Sequence, residues 1–339
     1  MRRQRGLRGR GGEALGSAMK KICAVCNSVI EEKLVSGIKR NGKYYDVFFC
    51  RECRIGATLP VPSSEQLAQL YSSGNYRSTD GGRRFNPFIE FFINLSRLMR
   101  ARRIEKHVRR GRLLDIGCGR GLFLHTMRTR GWEVRGVEFS EETARSAAGA
   151  YGIDVRAGNP ADWGFGAEEF DVVTISHVLE HVERPAEMMN ECRRILKKGG
   201  LLVIAVPNIL SLQASAGKGA WFHLDVPYHL SHFSEEGLSG LLKKHSFEIV
   251  NIRRFDLEYN PFGWVQTLLN MSGIERNLFY DLLRRRTSGG KRFSDFKTSD
   301  LILTFGLLPL YLPLCLLLSV FESSVLKRGG TIELYAVNR

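Results

Sequence analysis

"RLLDIGCGRG", Arg112 to Gly121, is the stretch on which the fold of this 339-residue chain turns. Its first half is a short apolar run ending near an acid, Asp115. Its second half sets Gly117, Gly119 and Gly121 on the turn into "LFLHTMRTRG", a helical stretch. Downstream, the apolar runs "EVRGVEF", "DVVTIS" and "LLVIAVP" alternate with further helical stretches. "SEETARSAAGAYG" opens on an expected Ser140 cap with acids in the first turn and closes at Gly152. "PAEMMNECRRILKKGG" starts at Pro185, keeps apolar residues at 188, 189, 192, 195 and 196, and is expected to stop at its glycine pair. Alternation of this kind predicts an α/β chain with a doubly wound, mostly parallel sheet.

The glycine turn lets a ligand approach the backbone. Its spacing is G-x-G-x-G with Leu at 122, which argues against the G-x-G-x-x-G turn of a nicotinamide or flavin dinucleotide. At the end of the next strand, "GVEFS" presents Glu138, 17 residues beyond Gly121, where a ribose diol needs a bidentate acceptor. Alone, an acid at a strand end is often a helix cap. In this order after the glycine turn, it points to a bound nucleoside.

With these residues in place, the chain resembles the class I S-adenosylmethionine-dependent methyltransferases. The resemblance runs from "RLLDIGCGRG" through "FDVVTISHVLEHVERP" and "ILKKGGLLVIAVPN" to "RGGTIELYAV", roughly residues 110 to 339 with an insertion. It implies a Rossmann-like, seven-stranded sheet whose last strand is antiparallel. It also implies S-adenosylmethionine as cofactor, with the methionine part on Gly117 and Gly119, the ribose on Glu138, and the adenine flanked by Gly158 and Asn159. At Asn159 the family more often has Asp. Asp115, Gly121, Phe139 and His177 complete the expected cofactor set. "SHVLEHVERP" and "HLDVPYHLSHFS" resemble a bacterial group that couples a zinc-binding N-terminal module to this domain and is associated with sugar or polysaccharide tailoring. "HVLEHV" is also similar to the ubiquinone-pathway O-methyltransferases. Some of those hold a divalent metal with two Glu and a His; here His177 stands at the first acid and only Glu180 and His181 match, so no catalytic metal is expected.

Methyl transfer from a sulfonium is an in-line displacement that needs water excluded, the acceptor aligned and, for a hydroxyl, its proton removed. His177, His181, His223, His229 and His232 are five of the eight histidines, and all fall in the two segments expected beside the methyl donor. His229, then His181, is the expected base. Loop capping and bonds to backbone carbonyls are the alternative roles for these imidazoles. Tyr71 and Tyr76 in "LYSSGNYR" are candidate lid residues, or plain surface tyrosines.

Cys23/Cys26 and Cys50/Cys53 form two C-x-x-C pairs 23 residues apart. Two such knuckles close a four-thiolate structural zinc site with no open position. The intervening "GIKRNGKYYDVFF" reads as strand, Asn-Gly turn and strand, a zinc-ribbon hairpin; disulfides or free thiols are the alternatives. The opening "MRRQRGLRGRGGEALGSA" has no apolar core, so it reads as a disordered basic tail, or an organellar transit segment, with Met19 the natural start of the folded part. Its five Arg and one Glu account for +4 of the formal net charge of +15, leaving +11 elsewhere. That remainder is spread over "RLMRARRIEKHVRR", "RRR" 284–286, Lys291, Arg292, Lys327 and Arg328; several of these flank apolar segments, which favours an anionic membrane surface over nucleic acid.

"LILTFGLLPLYLPLCLLLSVF", Leu301 to Phe321, is an uncharged run between the sixth and seventh expected strands. A single crossing would separate two strands that must pair, so a transmembrane pass is excluded. Pro309 and Pro313 are expected to break the run into a bent helix or shallow hairpin that docks on a membrane, with Leu307, Leu308, Leu316 and Leu317 toward lipid. A buried core helix or dimer interface is the alternative. Farther upstream, Phe85 to Arg110 carries apolar residues at 88, 91, 92, 95 and 98, a helix expected to pack that face on the sheet. The chain thus divides into a tail (1–18), a zinc ribbon (19–60), linker and lid helices (61–110), a cofactor domain (111–256 and 329–339) and an apolar insertion (257–328). Two functions fit this division. One is methyl transfer to a small or lipid-linked acceptor, such as a sugar or quinone precursor, at the cytoplasmic membrane face. The other is a non-catalytic scaffold using the ribbon and insertion for partners.

Overall fold

The computed structural model describes residues 21–40, 42–63, 65–67, 69, 87–158, 162–283 and 293–339. The basic tail, Met19, Tyr71, Tyr76, Asn159, Arg284 to Arg286, Lys291 and Arg292 lie outside the described residues. From the N-terminus come β1 (Glu32–Arg40), β2 (Lys43–Phe49) and β3 (Ile55–Leu59), then α1 (Pro87–His107). The alternating part follows: β4 (Arg112–Ile116), α2 (Leu122–Thr129), β5 (Glu133–Glu138), α3 (Glu141–Tyr151), β6 (Asp154–Ala157) and β7 (Phe170–Ser176). It continues with α4 (Pro185–Ile195), β8 (Leu196–Pro207), α5 (Leu212–Gly217), β9 (Ser231–Phe233), α6 (Glu235–Lys244) and β10 (Phe247–Arg253). Three helices, α7 (Tyr259–Met271), α8 (Leu278–Leu283) and α9 (Thr298–Ser324), precede β11 (Thr331–Asn338).

The main sheet has the seven strands that the resemblance implied, in the order β10-β11-β8-β7-β4-β5-β6. β11 is antiparallel to both neighbours, while β8, β7, β4, β5 and β6 run parallel. Parallel strands covered on both faces read as continuous apolar runs, and Leu113, Leu114, Ile116, Val172, Val173 and Ile175 are all fully buried. The caps read from sequence are present. Ser140 Oγ accepts from the Thr143 N–H, and Gly152 ends α3 at φ +60°. α4 ends earlier than expected, at Ile195, because Leu196 already pairs with Phe170 as β8 begins.

α1 forms where expected but turns its other face inward. Phe91, Phe92 and Leu98 are exposed, and Ile93, Ser96, Ala101 and Ile104 are buried, with Arg97 and Arg100 partly covered beside them. The packed face meets polar groups: Arg100 Nε lies 3.4 Å from Glu333 Oε1, and Ser96 Oγ donates to Asp256 Oδ2 at 3.4 Å. A buried carboxylate on β11, inside the sheet, selects arginines over phenylalanines.

A second sheet, β1-β2-β3-β9, is antiparallel throughout, so the N-terminal hairpin is completed by a strand from the later part of the chain. Gly42, just before β2, has φ +75°, as a tight hairpin demands.

α9 is one continuous helix through Pro309 and Pro313, not a bent or paired one. Both prolines lie on its exposed side, so the inward contacts hold it helical across them. Its 27 residues span ~40 Å at 1.5 Å per residue. The inward stripe is Leu301, Thr304, Leu307, Leu308, Tyr311, Cys315, Leu318, Ser319 and Glu322; Leu307 and Leu308 therefore pack against α7 and α8 rather than facing out. Outward stand Ile302 (69% exposed), Leu310 (62%) and Leu317 (68%), with Phe305, Leu312, Leu314, Leu316, Val320 and Phe321. Only 11% of the most apolar window is buried, which removes the core-helix alternative. The helix is apolar on both sides: its inward stripe joins leucines to hydroxyls and an acid, and its outward side is hydrocarbon left uncovered. Because β10 and β11 are paired, the chain leaves and rejoins the sheet at one edge.

Candidate active site

The turn after β4 is shaped by three left-handed glycines, Gly117, Gly119 and Gly121. Gly117 has φ +71°, and a Cβ there would stand 2.2 Å from Val178 Cγ2, so the turn packs directly on the segment following β7. Gly119 has φ +54°, and a Cβ there would meet nothing within 4 Å, leaving an open cradle above the backbone. Gly121 is the N-cap of α2. Asp115 is buried at the end of β4 and accepts from Thr174 Oγ1 at 2.6 Å. Burial pushes its carboxyl up to about 6, against the pull of that hydrogen bond and of Arg100.

Glu138, at the end of β5, accepts the Gly119 N–H on Oε2 at 2.8 Å and the Phe139 N–H on Oε1 at 2.9 Å. Each oxygen keeps a second lone pair, so a diol can be received by a carboxylate already fixed in place. The Gly158 N–H bonds the Glu138 carbonyl at 3.2 Å, which brings the end of β6 to the same spot. Phe139 is 41% exposed beside it. The sequence reading missed the partly covered Arg97 and Arg100, which α1 carries to this end of the sheet. Their only signal was the "RLMRARR" charge pattern, since the apolar stripe pointed elsewhere.

The histidines gather around Glu180, which is 1% exposed. His177 Nδ1 lies 3.6 Å and His229 Nε2 4.0 Å from Glu180 Oε1. His177 sits at φ +53° and stacks on Tyr259 at 3.9 Å, a strained backbone held by surrounding contacts. The rings of His181 and His229 are 4.6 Å apart. His181 Nδ1 lies 2.9 Å from the Tyr228 carbonyl, which accepts, so Nδ1 carries the proton and Nε2 the lone pair. Burial, then the neighbouring imidazole of His181, holds His229 well below the ordinary histidine range. Burial takes His223 down to about 3 and His232 to about 4. Ligand atoms of Glu180, His181 and His229 lie within 4.8 Å of one another, a set a divalent ion could take.

The four thiols converge as well. Cys23 Sγ is 3.5 Å from Cys53 Sγ, and Cys26 Sγ is 3.5 Å from Cys50 Sγ. Tetrahedral zinc with Zn–S of about 2.3 Å sets sulfurs ~3.8 Å apart, so the cage fits that ion; an S–S bond would need about 2.05 Å.

A family profile described as a methyltransferase domain matches residues 92–252. An uncharacterized protein of Methanocaldococcus jannaschii is 37% identical over 103 residues, 30% of this chain and 48% of that relative. A ubiquinone biosynthesis O-methyltransferase of Caulobacter sp. is 39% identical over 104 residues, 29% of this chain and 41% of its own. The chain thus spans less than half the length of those two relatives. A ubiquinone biosynthesis O-methyltransferase of Cereibacter sphaeroides is 32% identical over 168 residues, covering 46% of this chain and 67% of the relative. The chain belongs to the class I S-adenosylmethionine-dependent methyltransferases. A solved methyltransferase of Archaeoglobus fulgidus is also similar, at 22% identity and a TM-score of 0.46, over 74% of this chain and 97% of that one. In this methyltransferase the expected cofactor residues Asp115, Gly117, Gly119, Gly121, Glu138, Phe139 and Gly158 lie at the carboxyl ends of adjacent strands. His177 precedes Val178, which packs on Gly117, but its own ring lies against Glu180 and Tyr259. Asn159 lies outside the described residues. The thiol cage forms a separate set.

Proposed function

We propose that the protein methylates a lipid-linked or other amphiphilic acceptor at a membrane surface, using S-adenosylmethionine. The open cradle over Gly119 beside the fixed Glu138 carboxylate supports the cofactor assignment. Gly117, Gly119 and Glu138 would hold the methionine and ribose parts, Phe139 and Gly158 the adenine side, and Arg97 and Arg100 the carboxylate end. When bound, the cofactor supplies an electrophilic methyl on a sulfonium. For the acceptor proton, His181 carries the lone pair on Nε2 and is only half-buried; the Tyr228 carbonyl holds its ring, and buried His229 and Glu180 lie beside it. We place His181 ahead of His229 as the base because protonating fully buried His229 costs more. Zinc at the four cysteines is structural in this reading.

The single observation that carries the membrane part is the uncovered apolar side of α9. A soluble helix buries hydrocarbon and exposes polar groups; α9 exposes hydrocarbon along its outward side, with Lys297 at one end and Lys327 and Arg328 at the other, all exposed. Basic residues at both ends suit a helix lying in the interface of an anionic, cytoplasm-facing leaflet. The test is to incubate the protein with S-adenosylmethionine labelled in its methyl group and either a membrane lipid extract or a soluble metabolite extract. Label entering the organic phase only with lipid extract is expected. Label confined to a water-soluble product overturns the lipid-linked acceptor.

A further inference from the structure

We infer that Thr58 is a positioning residue through which the thiol-bearing ribbon fixes the acceptor-side histidines, so that the ribbon is a wall of the active site rather than a separate docking module. This rests on the assignment of His181 and His229 to the acceptor side.

Thr58 lies on β3, is fully buried, and reaches across to the segment carrying both histidines. Its hydroxyl donates to the His229 carbonyl at 2.6 Å and lies 2.8 Å from His232 Nε2. A hydroxyl has one proton, and that proton is committed to the carbonyl. Its oxygen must therefore accept from His232, which fixes His232 as the neutral Nε2–H tautomer. The Thr58 N–H donates to the Leu230 carbonyl at 3.0 Å, and the Leu230 N–H donates to the Glu180 carbonyl at 2.8 Å. Residues 229–232 are thus clamped between the ribbon on one side and the Glu180–His181 turn on the other.

The clamp is continuous with the thiol cage. Cys50 and Cys53 immediately precede β3, the Cys50 N–H bonds the Ile55 carbonyl at 3.0 Å, and the Arg54 N–H bonds the Cys50 carbonyl at 2.9 Å. β3 then pairs with β9 at Ile55↔Phe233, Gly56↔His232 and Ala57↔Ser231. A Cβ at Gly56 would come within 3.1 Å of His232 Cβ, so the two strands meet with no room between them. Ser234 Oγ closes the far end by donating to the Arg54 carbonyl at 2.6 Å. Displacing the second knuckle moves β3, which carries the Thr58 bonds and the pairing with β9.

The experiment uses the full chain with its histidine rings labelled with nitrogen-15. Wild-type protein should show His232 as a single Nε2–H tautomer. Thr58→Val, which keeps shape and removes the hydroxyl, should move the His232 ring signals toward a tautomer mixture, and Thr58→Ser should restore them. Affinity for S-adenosylmethionine should stay within about twofold in both variants, while methyl incorporation into lipid extract falls about tenfold or more in Thr58→Val, the scale of a slightly misplaced catalytic group. Should Thr58→Val fail to fold, stripping metal from wild type with a chelator gives the second reading: the His229 and His232 ring signals should shift while that of His125 on α2 stays. Unmoved His229 and His232 signals on chelation, or an unmoved His232 signal in folded Thr58→Val, would overturn the inference. Absence of cofactor binding in wild type would instead contradict the methyltransferase reading, and the ring signals would still decide this one.

Discussion

The indole N–H of Trp264 donates to Glu322 Oε2 at 2.8 Å, and both side chains are buried where α7 crosses the end of α9. The other carboxylate oxygen accepts the Gln213 N–H at 3.1 Å. An acid on the inner face of the most apolar helix is stable only because its oxygens are hydrogen-bonded. That bond fixes the rotation of α9 and with it the choice of residues that face outward.

Replacing outward-facing Leu310, Leu314, Leu317 and Phe321 together by Ser should release the protein from anionic vesicles. Each side chain is worth about 1.5–3 kcal/mol when fully buried in an apolar phase, so even half-insertion of four predicts at least ~100-fold weaker partition. Flotation of wild type and variant measures this. Each basic residue near anionic lipid adds about 1 kcal/mol, so high salt should weaken wild-type binding without abolishing it. Wild type that stays in the soluble fraction and sediments as a dimer would assign the outward face to a second copy of the chain.

Purified, chelator-free protein should contain one zinc, and Cys50→Ser should lose it. Elemental analysis checks the metal, and a fall in melting temperature on chelation checks its structural role. Metal-free wild type with unchanged melting temperature would contradict the site.

Stability should fall as pH drops from 6.5 toward 4. His223 and His232 have folded-state values of about 3 and about 4 against 6.5 for the free side chain, so the unfolded chain binds protons first and each proton favours unfolding. At 1.36 kcal/mol per unit, each histidine removes ~2 kcal/mol between pH 6.5 and 5. Asp115 acts in the opposite sense, because its folded value of about 6 lies above 3.8 and its protonation favours the fold as pH falls. Two histidines outweigh one carboxyl, and urea midpoints measured from pH 7 to 5 should decline. A flat profile would contradict the buried neutral imidazoles.

The parallel sheet and the Gly119–Glu138 pair were legible because both rest on local patterns: apolar runs at strand spacing, and glycines where only glycine fits. Pattern reading assumes that apolar residues point inward, and it failed where that assumption inverts. On α1 the packed face carries Arg97 and Arg100 because carboxylates wait beneath it. On α9 the inner stripe is the more polar one, so Leu307 and Leu308 were misassigned and the prolines were read as breaks. β9 is three residues long, too short for any periodicity, so its pairing with the ribbon, and the role of Thr58 in "IGATL", could be seen only in three dimensions.

The most direct measurement of the central claim is titration calorimetry of S-adenosylmethionine into wild type, Glu138→Ala and Gly119→Arg. The Glu138 carboxylate holds the Gly119 turn and, in the proposed reading, would receive the ribose; charged hydrogen bonds are worth about 1.5–3 kcal/mol each, so Glu138→Ala should weaken binding by ~10-fold or more. An arginine side chain at 119 should fill the open cradle and abolish binding. One site per chain in wild type with graded loss in the two variants is the predicted result, and equal affinity in all three proteins would contradict it.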